Sequence, residues 1–306
     1  MPDAVMLVVA TTKTKSELLH EIVRSLQFCT HCKTCEGIHP EIESPVHPPS
    51  LELTTACNEK CVFCYSNILK TPVKPGYYCK KNGGKKAPRS ITVSQYGEPL
   101  LVGAYELARQ LAMLRQEFPK ARLDLQTNGT LLTKEAVKLL KPYVDLVMVS
   151  INAGSHRTHE KICGKDNFNE LLKGLRACKE FSPKTVRIGR FVLCPGINDS
   201  EIELVARLLQ KDGFDELMLH QCVIYPKTRK AMKLAGLDFE RNESIAELLL
   251  AAGRAKKAAP KLKVTIQGCV LSKVRGIPAG VLPGLCRTNT AEMPKMRRTL
   301  SSLSSK

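Results

Sequence analysis

After residue 48 the chain alternates short runs rich in Val, Ile, Leu and Thr with amphipathic stretches of helical period. The runs are Leu51–Thr54, Ile91–Ser94, Ala121–Leu125, Asp145–Ile151, Val186–Leu193, Glu216–His220 and Lys263–Ile266, bounded by turn residues, and they read as strands. Between them Leu107, Ala108, Leu111 and Leu114 fall on one helical face, as do Phe168, Leu171, Leu172 and Leu175, and Ile202, Val205, Ala206 and Leu209. A strand followed by a helix about every 25 to 45 residues predicts βα units on a parallel sheet. The expected fold is α/β: a partial or full (β/α) barrel of about six parallel strands, with an open doubly wound sheet as the alternative.

Residues 49–268 are the expected barrel, and 1–48 and 269–306 are small extensions. Leu7–Ala10 reads as a strand, and Leu18, Leu19, Ile22, Val23 and Leu26 form a helical face before it meets the first cysteines. Thr71–Arg89, rich in Pro, Gly and Lys, reads as a long loop, and the basic, Ser-rich stretch Met293–Lys306 as a disordered tail. No run reaches the ~18 apolar residues of a membrane span, and the start carries no basic secretory leader, so a cytoplasmic protein without membrane attachment is expected. The formal charge of +18 suits an anionic substrate or partner, and nucleic acid stays open on that ground. Trp is absent and aromatics are scarce, which disfavours a single-strand platform of stacked rings.

Thirteen cysteines in such a chain argue against disulfides and for metal. Cys57, Cys61 and Cys64 stand just after the first strand, on the edge where parallel barrels put their chemistry. Three thiolates this close in sequence can hold three corners of a four-iron cluster and leave one iron open. A zinc loop is the alternative, although zinc sites usually combine two C-x2-C pairs.

This segment resembles the signature of the radical S-adenosylmethionine superfamily, C-x3-C-x-aromatic-C, with Phe63 as the aromatic residue. Further matches follow in order. Gly97-Glu98-Pro99 resembles the stretch that holds the methionyl amino group, although Tyr96 stands where a second glycine is usual. Thr127-Asn128-Gly129-Thr130 is similar to the family's turn after the third strand. Ser150 and Asn152 match positions that face the ribose or carboxylate, and Val192–Asp199 is similar to a turn in several branches. The resemblance covers roughly residues 49 to 225. It implies a [4Fe-4S] cluster with S-adenosyl-L-methionine, a low-potential electron donor such as a ferredoxin or flavodoxin, and an anaerobic setting. Reductive cleavage would give a 5′-deoxyadenosyl radical that takes hydrogen from a protein, a peptide or a small cofactor precursor. Glu98 suits a bound ammonium. Arg187 and Arg190 alternate along the fifth strand, so one of them could meet the cofactor carboxylate.

Cys29, Cys32 and Cys35 have the spacing of a ferredoxin cluster loop, and Cys79, Cys269 or Cys286, a histidine or a substrate atom could complete it, which makes a second iron–sulfur cluster the expectation. A zinc knuckle using His31 or His39 is the alternative. Cys163, Cys178 and Cys194 lie on apolar patterns and read as core, whereas Cys222 points toward the barrel rim. Two other readings remain: a tRNA-modifying enzyme of the same chemistry, suggested by charge, and an iron–sulfur electron carrier or zinc-dependent nucleic-acid-binding protein. A carrier has no need of a cofactor pocket, which the Gly-Glu-Pro and Thr-Asn-Gly segments imply.

Overall fold

The computed structural model describes residues 49–64, 66, 73–79, 88–266 and 296–298. Its nine strands are β1 (Ser50–Glu52), β2 (Gly76–Cys79), β3 (Ser90–Val93), β4 (Arg122–Thr127), β5 (Leu146–Ser150), β6 (Val186–Leu193), β7 (Glu216–Gln221), β8 (Lys263–Ile266) and β9 (Met296–Arg298). They form one sheet in the order β8-β7-β6-β5-β4-β3-β1-β2-β9. Strands β1 and β3 to β8 pair parallel, while β2 and β9 add antiparallel at one edge. The expected α/β sheet is present and it is not closed.

The strand order separates the two expected architectures. A doubly wound sheet reverses direction at a switch point. Here every parallel strand lies beside its successor, so right-handed crossovers keep adding in one direction and lay their helices on one face. This is the winding of a partial barrel, and it leaves the other face for the site. The helices are α1 (Ala104–Glu117), α2 (Lys134–Leu140), α3 (His156–Cys163), α4 (Phe168–Ala177), α5 (Ile202–Lys211), α6 (Pro226–Leu234), α7 (Phe239–Asn242) and α8 (Ile245–Ala258).

Local chemistry explains the boundaries. Thr133 Oγ1 accepts from Ala136 N–H at 3.1 Å at the start of α2, and Ser155 Oγ accepts from Thr158 N–H before α3. Pro226, whose ring fixes φ and removes a donor, opens α6. The faces expected from periodicity are the buried ones. Leu107, Leu111 and Leu114 of α1 and Ile202, Val205 and Leu209 of α5 have no exposed surface, and they join Leu51, Ile91, Leu123, Val147, Phe191 and Leu217 in the main core. Along β6 the alternation is plain. Phe191 and Leu193 enter that core, whereas Ile188 packs with Leu146 and Met218 in a small separate group on the opposite face.

Two expectations differ from the structure. Gly76–Cys79, inside the expected loop, pairs antiparallel with β1, because Tyr77 can bury against Phe118 and Tyr78 against Tyr96 and Val73. Met296–Arg298, inside the expected disordered tail, is a strand that pairs with β2. Short edge strands carry too little periodicity to be read from composition. The expected strand at 7–10, the helix at 18–26 and most of both extensions lie outside the described residues.

Candidate active site

The loop carrying Cys57, Cys61 and Cys64 leaves the C-terminal end of β1 and is held on two sides. Toward α3, Lys60 N–H donates to Cys163 O at 2.8 Å and Val62 N–H to Ile162 O at 2.9 Å. Toward the turn after β4, Asn58 Nδ2 donates to Thr130 Oγ1 at 2.8 Å and accepts through Oδ1 from Asn128 Nδ2 at 2.7 Å. All three sulfurs are free thiols, Cys57 exposed and the other two half-buried. Glu59 N–H lies 3.5 Å from Cys57 Sγ, and Cys64 Sγ lies 2.8 Å from Ser66 Oγ. Burial pushes the Cys57 thiol up to about 11, and the nearby Cys61, Glu59 and Glu98 add to the rise. A metal bound here has to displace those protons. Three soft donors on one loop suit three corners of an iron–sulfur cluster.

Gly97 lets the next loop come close. It has φ +66°, and a Cβ there would stand 2.5 Å from both Thr54 O and Ala56 O. Glu98 N–H donates to Ala56 O at 2.8 Å, so the Gly-Glu-Pro segment is stitched to the cysteine loop. The Glu98 carboxylate is fully buried. Oε1 accepts from Leu100 N–H at 3.1 Å and Thr127 Oγ1–H at 2.8 Å, and Oε2 accepts from Asn128 N–H at 2.7 Å. Burial raises its pKa to about 7 against these hydrogen bonds. Glu98, read from sequence as a partner for an ammonium, thus already ties the loop after β3 to the turn after β4. Pro99 opens the short 3-10 helix Pro99–Val102 that this carboxylate caps.

The two arginines of β6 point apart, as their spacing predicts. Arg187 donates to the carbonyls of Cys178, Phe181 and Ser182 at 2.9–3.4 Å, on the helix-covered side. Arg190 lies on the concave face, 3.3 Å from Gln126 Oε1 and 3.5 Å from Ser150 Oγ. Among the described residues no carboxylate lies within ion-pair distance of Arg190. Asn152 is buried and its Oδ1 accepts from Val192 N–H at 2.9 Å, a cross-strand tie at the sheet rim. His220, on β7, places Nδ1 2.5 Å from Gln221 O. A carbonyl only accepts, so Nδ1 carries the proton and Nε2 is left as an acceptor. Burial first, then the charge of Arg190, lowers the His220 pKa to about 4.

Several residues here escaped sequence reading. Glu52, buried on β1, accepts from Gln95 N–H at 3.0 Å and Tyr96 N–H at 3.1 Å and holds the segment just before Gly97. Glu59 sits beneath the cysteine loop, its Oε2 3.7 Å from Cys61 Sγ and its Oε1 3.6 Å from His159 Nε2 but without a hydrogen bond. Cys163, Cys194, Cys222 and Met232 are buried in one cluster, and the half-buried Cys61 and Phe63 pack against it. The core role expected for Cys163, Cys178 and Cys194 agrees with their burial, and Cys222 shares it rather than standing at the rim. A signal for Glu52 existed, since a lone carboxylate in an apolar strand needs partners. Cys29, Cys32, Cys35, Cys269 and Cys286 lie outside the described residues.

Comparison with known proteins adds to this geometry. The profile of the radical SAM superfamily matches residues 51–209. An uncharacterized protein of Methanocaldococcus jannaschii is 38% identical over 286 residues, 92% of this chain and 94% of its own length. The GTP 3′,8-cyclase of Petrotoga mobilis is 26% identical over 175 residues, 53% of this chain and 52% of that protein, so the chain spans about half the length of this relative. A radical SAM methyltransferase from Sphaerobacter thermophilus has the same fold, with a TM-score of 0.52 at 16% identity over 74% of this chain and 68% of that one. Among the described residues no helix is long and apolar enough to cross a membrane.

Proposed function

From the premise that this chain belongs to the radical S-adenosylmethionine superfamily, we propose that it removes a hydrogen atom from a small anionic substrate on the concave face of the sheet, with Cys57, Cys61 and Cys64 as the cluster ligands. Enzymes of this superfamily use a [4Fe-4S] cluster with S-adenosylmethionine and need a reductant. When bound, the pair supplies reductive cleavage of the sulfonium, which gives methionine and a carbon radical able to take hydrogen from substrate. The residues of this chain do the rest. The cysteine loop offers three thiolates, and the Gly97 backbone closes against it. Glu98 fixes the loops after β3 and β4 in one piece, so that the site is rigid before cofactor arrives.

The observation that carries the reading is the direct bonding of the cysteine loop to the Gly-Glu-Pro segment, through Glu98 N–H and Ala56 O at 2.8 Å. A loop that bound only a structural metal has no need of that partner. For the substrate, the support is Arg190, a half-buried cation without a carboxylate, beside a neutral His220. The named activity of the Petrotoga relative, on a nucleoside triphosphate, agrees with an anionic substrate.

The test is anaerobic reconstitution with iron and sulfide, reduction, and addition of S-adenosylmethionine. Wild type should release 5′-deoxyadenosine. Replacing Cys57, Cys61 and Cys64 together by Ala should remove about four irons per chain and abolish that release. Unchanged iron and unchanged cleavage in the triple variant would sink the assignment. Arg190→Gln should keep the cluster and weaken only substrate-dependent turnover.

A further inference from the structure

Helix α6 carries Lys227, Arg229, Lys230 and Lys233 on its exposed surface and no acidic residue. Lys227 and Lys230, and Lys230 and Lys233, are three apart, and Arg229 and Lys233 are four apart. On a helix these spacings bring like charges together and oppose its formation. Among the described residues no carboxylate lies within ion-pair distance of any of the four; Arg229 instead stacks over the Phe239 ring at 4.4 Å. Such a face gains from an external anion.

Its place gives that anion a character. The buried side of α6 is Thr228 and Met232, and Met232, Ala235 and Leu237 belong to the apolar cluster against which Cys61, Val62 and Phe63 of the cysteine loop pack. The basic surface continues around that loop. Lys161, exposed at the end of α3, brings Nζ to 3.5 Å from the point where a Cβ on Gly236 would stand, just past α6. Exposed Lys60 belongs to the loop itself and is tied by its N–H to Cys163 O. Glu160 and Glu240 are the exposed carboxylates of these segments, so the balance stays positive.

We propose that this surface, α6 with Lys161 and Lys60, is where an acidic low-potential electron-carrier protein docks to deliver the electron the cluster requires. The inference rests on the function proposed above. Charge complementarity steers such an encounter and speeds it at low salt. The position suits electron delivery because Lys60 lies in the loop that bears the cluster ligands and α6 and Lys161 belong to the elements it packs on, whereas a substrate has to reach the concave face.

The experiment is anaerobic stopped-flow reduction of the reconstituted holoenzyme, read from bleaching of the cluster absorbance. Two reductants are compared: a reduced flavodoxin, acidic and protein-sized, and photoreduced deazaflavin, small and uncharged. With wild type the flavodoxin rate constant should fall steeply with salt. The variant Lys227→Glu/Lys230→Glu/Lys233→Glu should lose tenfold or more with flavodoxin and be unchanged with deazaflavin. The corresponding triple Ala variant should fall between. Equal flavodoxin rates in wild type and the Glu variant would overturn the docking site alone. An equal loss with both reductants would overturn it too, as damage to the cluster. Unchanged flavodoxin rates with lost retention of a single-stranded RNA probe would give the surface to nucleic acid. A wild type without a reducible cluster on Cys57, Cys61 and Cys64 would overturn this proposal together with the function on which it rests.

Discussion

The cysteine loop is gripped from two sides, and the two grips are built from different chemistry. Toward β3 and β4 the grip is backbone amide and carboxylate. Glu98 accepts three hydrogen bonds, Glu52 holds the Gln95–Tyr96 amides, and Gly97 lies against Thr54 and Ala56 with no room to spare. Toward α3 and β7 the grip is two backbone hydrogen bonds, Lys60 N–H to Cys163 O and Val62 N–H to Ile162 O, over a packing of thiols and hydrocarbon. Glu59 there keeps an oxygen without a hydrogen bond, and His159 Nδ1 and Asn167 Nδ2 are likewise without one among the buried polar atoms. Both carboxylates lie beside the loop and burial raises both, yet only Glu98 is hydrogen-bonded through both oxygens. A buried carboxylate bonded through both oxygens holds architecture, and its removal leaves donors stranded. One with an oxygen to spare has already met part of the cost of burial and loses less when changed.

The largest test of this asymmetry is a pair of glycine substitutions. Gly97→Ala introduces a Cβ at 2.5 Å from two carbonyl oxygens at a left-handed φ of +66°. Gly164→Ala, on the opposite grip, has φ +69° but meets Lys60 O only at 3.2 Å. Gly97→Ala should cost of order 3 kcal/mol and lower iron uptake, whereas Gly164→Ala should cost about 1–2 kcal/mol with iron uptake retained. Urea unfolding and iron analysis check both. Equal costs would mean that the loop is held as tightly from α3 as from β3.

A smaller effect is expected at the carboxylates themselves. Glu98→Gln turns an acceptor oxygen into a donor facing N–H or O–H groups, so it should destabilise by about 2 kcal/mol. Glu59→Gln has an oxygen without a hydrogen bond to give up and should cost less than about 1 kcal/mol. If the order is reversed, the thiol side is the structural one.

Much of this layout is legible from sequence, and the reasons are local. The βα repeat shows itself because Leu107, Leu111 and Leu114 of α1 and Ile202, Val205 and Leu209 of α5 recur at helical spacing and bury fully, and β4 to β7 are runs of five to eight residues. The cysteine loop is legible because its thiols are rare and tightly spaced, and Gly97 and Asn128 through the resemblance of their segments to those of the superfamily. What escapes depends on partners far along the chain. That Glu98 also ties the loop after β3 to Thr127 and Asn128, some thirty residues later, shows only in the fold. Arg187 and Arg190 are equivalent until the sheet gives each a face. Glu59, His159 and Asn167 meet only because α3 returns to the cysteine loop, and no periodicity encodes that return. Strand β2 is missed because four residues among lysines and glycines carry no repeat.

The smallest effect is on pH. Glu52 and Glu98 both belong to the grip toward β3 and β4, and burial raises each to about 7 from an ordinary 4.5. The folded chain therefore holds protons that the unfolded chain has released. By linkage the contribution is fully present below about pH 4.5 and is lost as pH rises through 7. Glu59, also raised by burial, adds in the same sense. His220 acts in the opposite direction. Its pKa falls from 6.5 to about 4 on folding, so its contribution is present above 6.5 and lost as pH falls toward 4. The two trends compete below about pH 6.5, and above it the carboxylates dominate. Urea unfolding of the metal-free protein from about pH 6.5 to 8 should show stability decreasing by on the order of 1 kcal/mol. A stability that does not fall over that window would mean that the amide donors around Glu52 and Glu98 outweigh burial and hold both ionised. The amide grip would then be stronger than the geometry of single hydrogen bonds implies, and Glu98 would meet an incoming ammonium as a full negative charge.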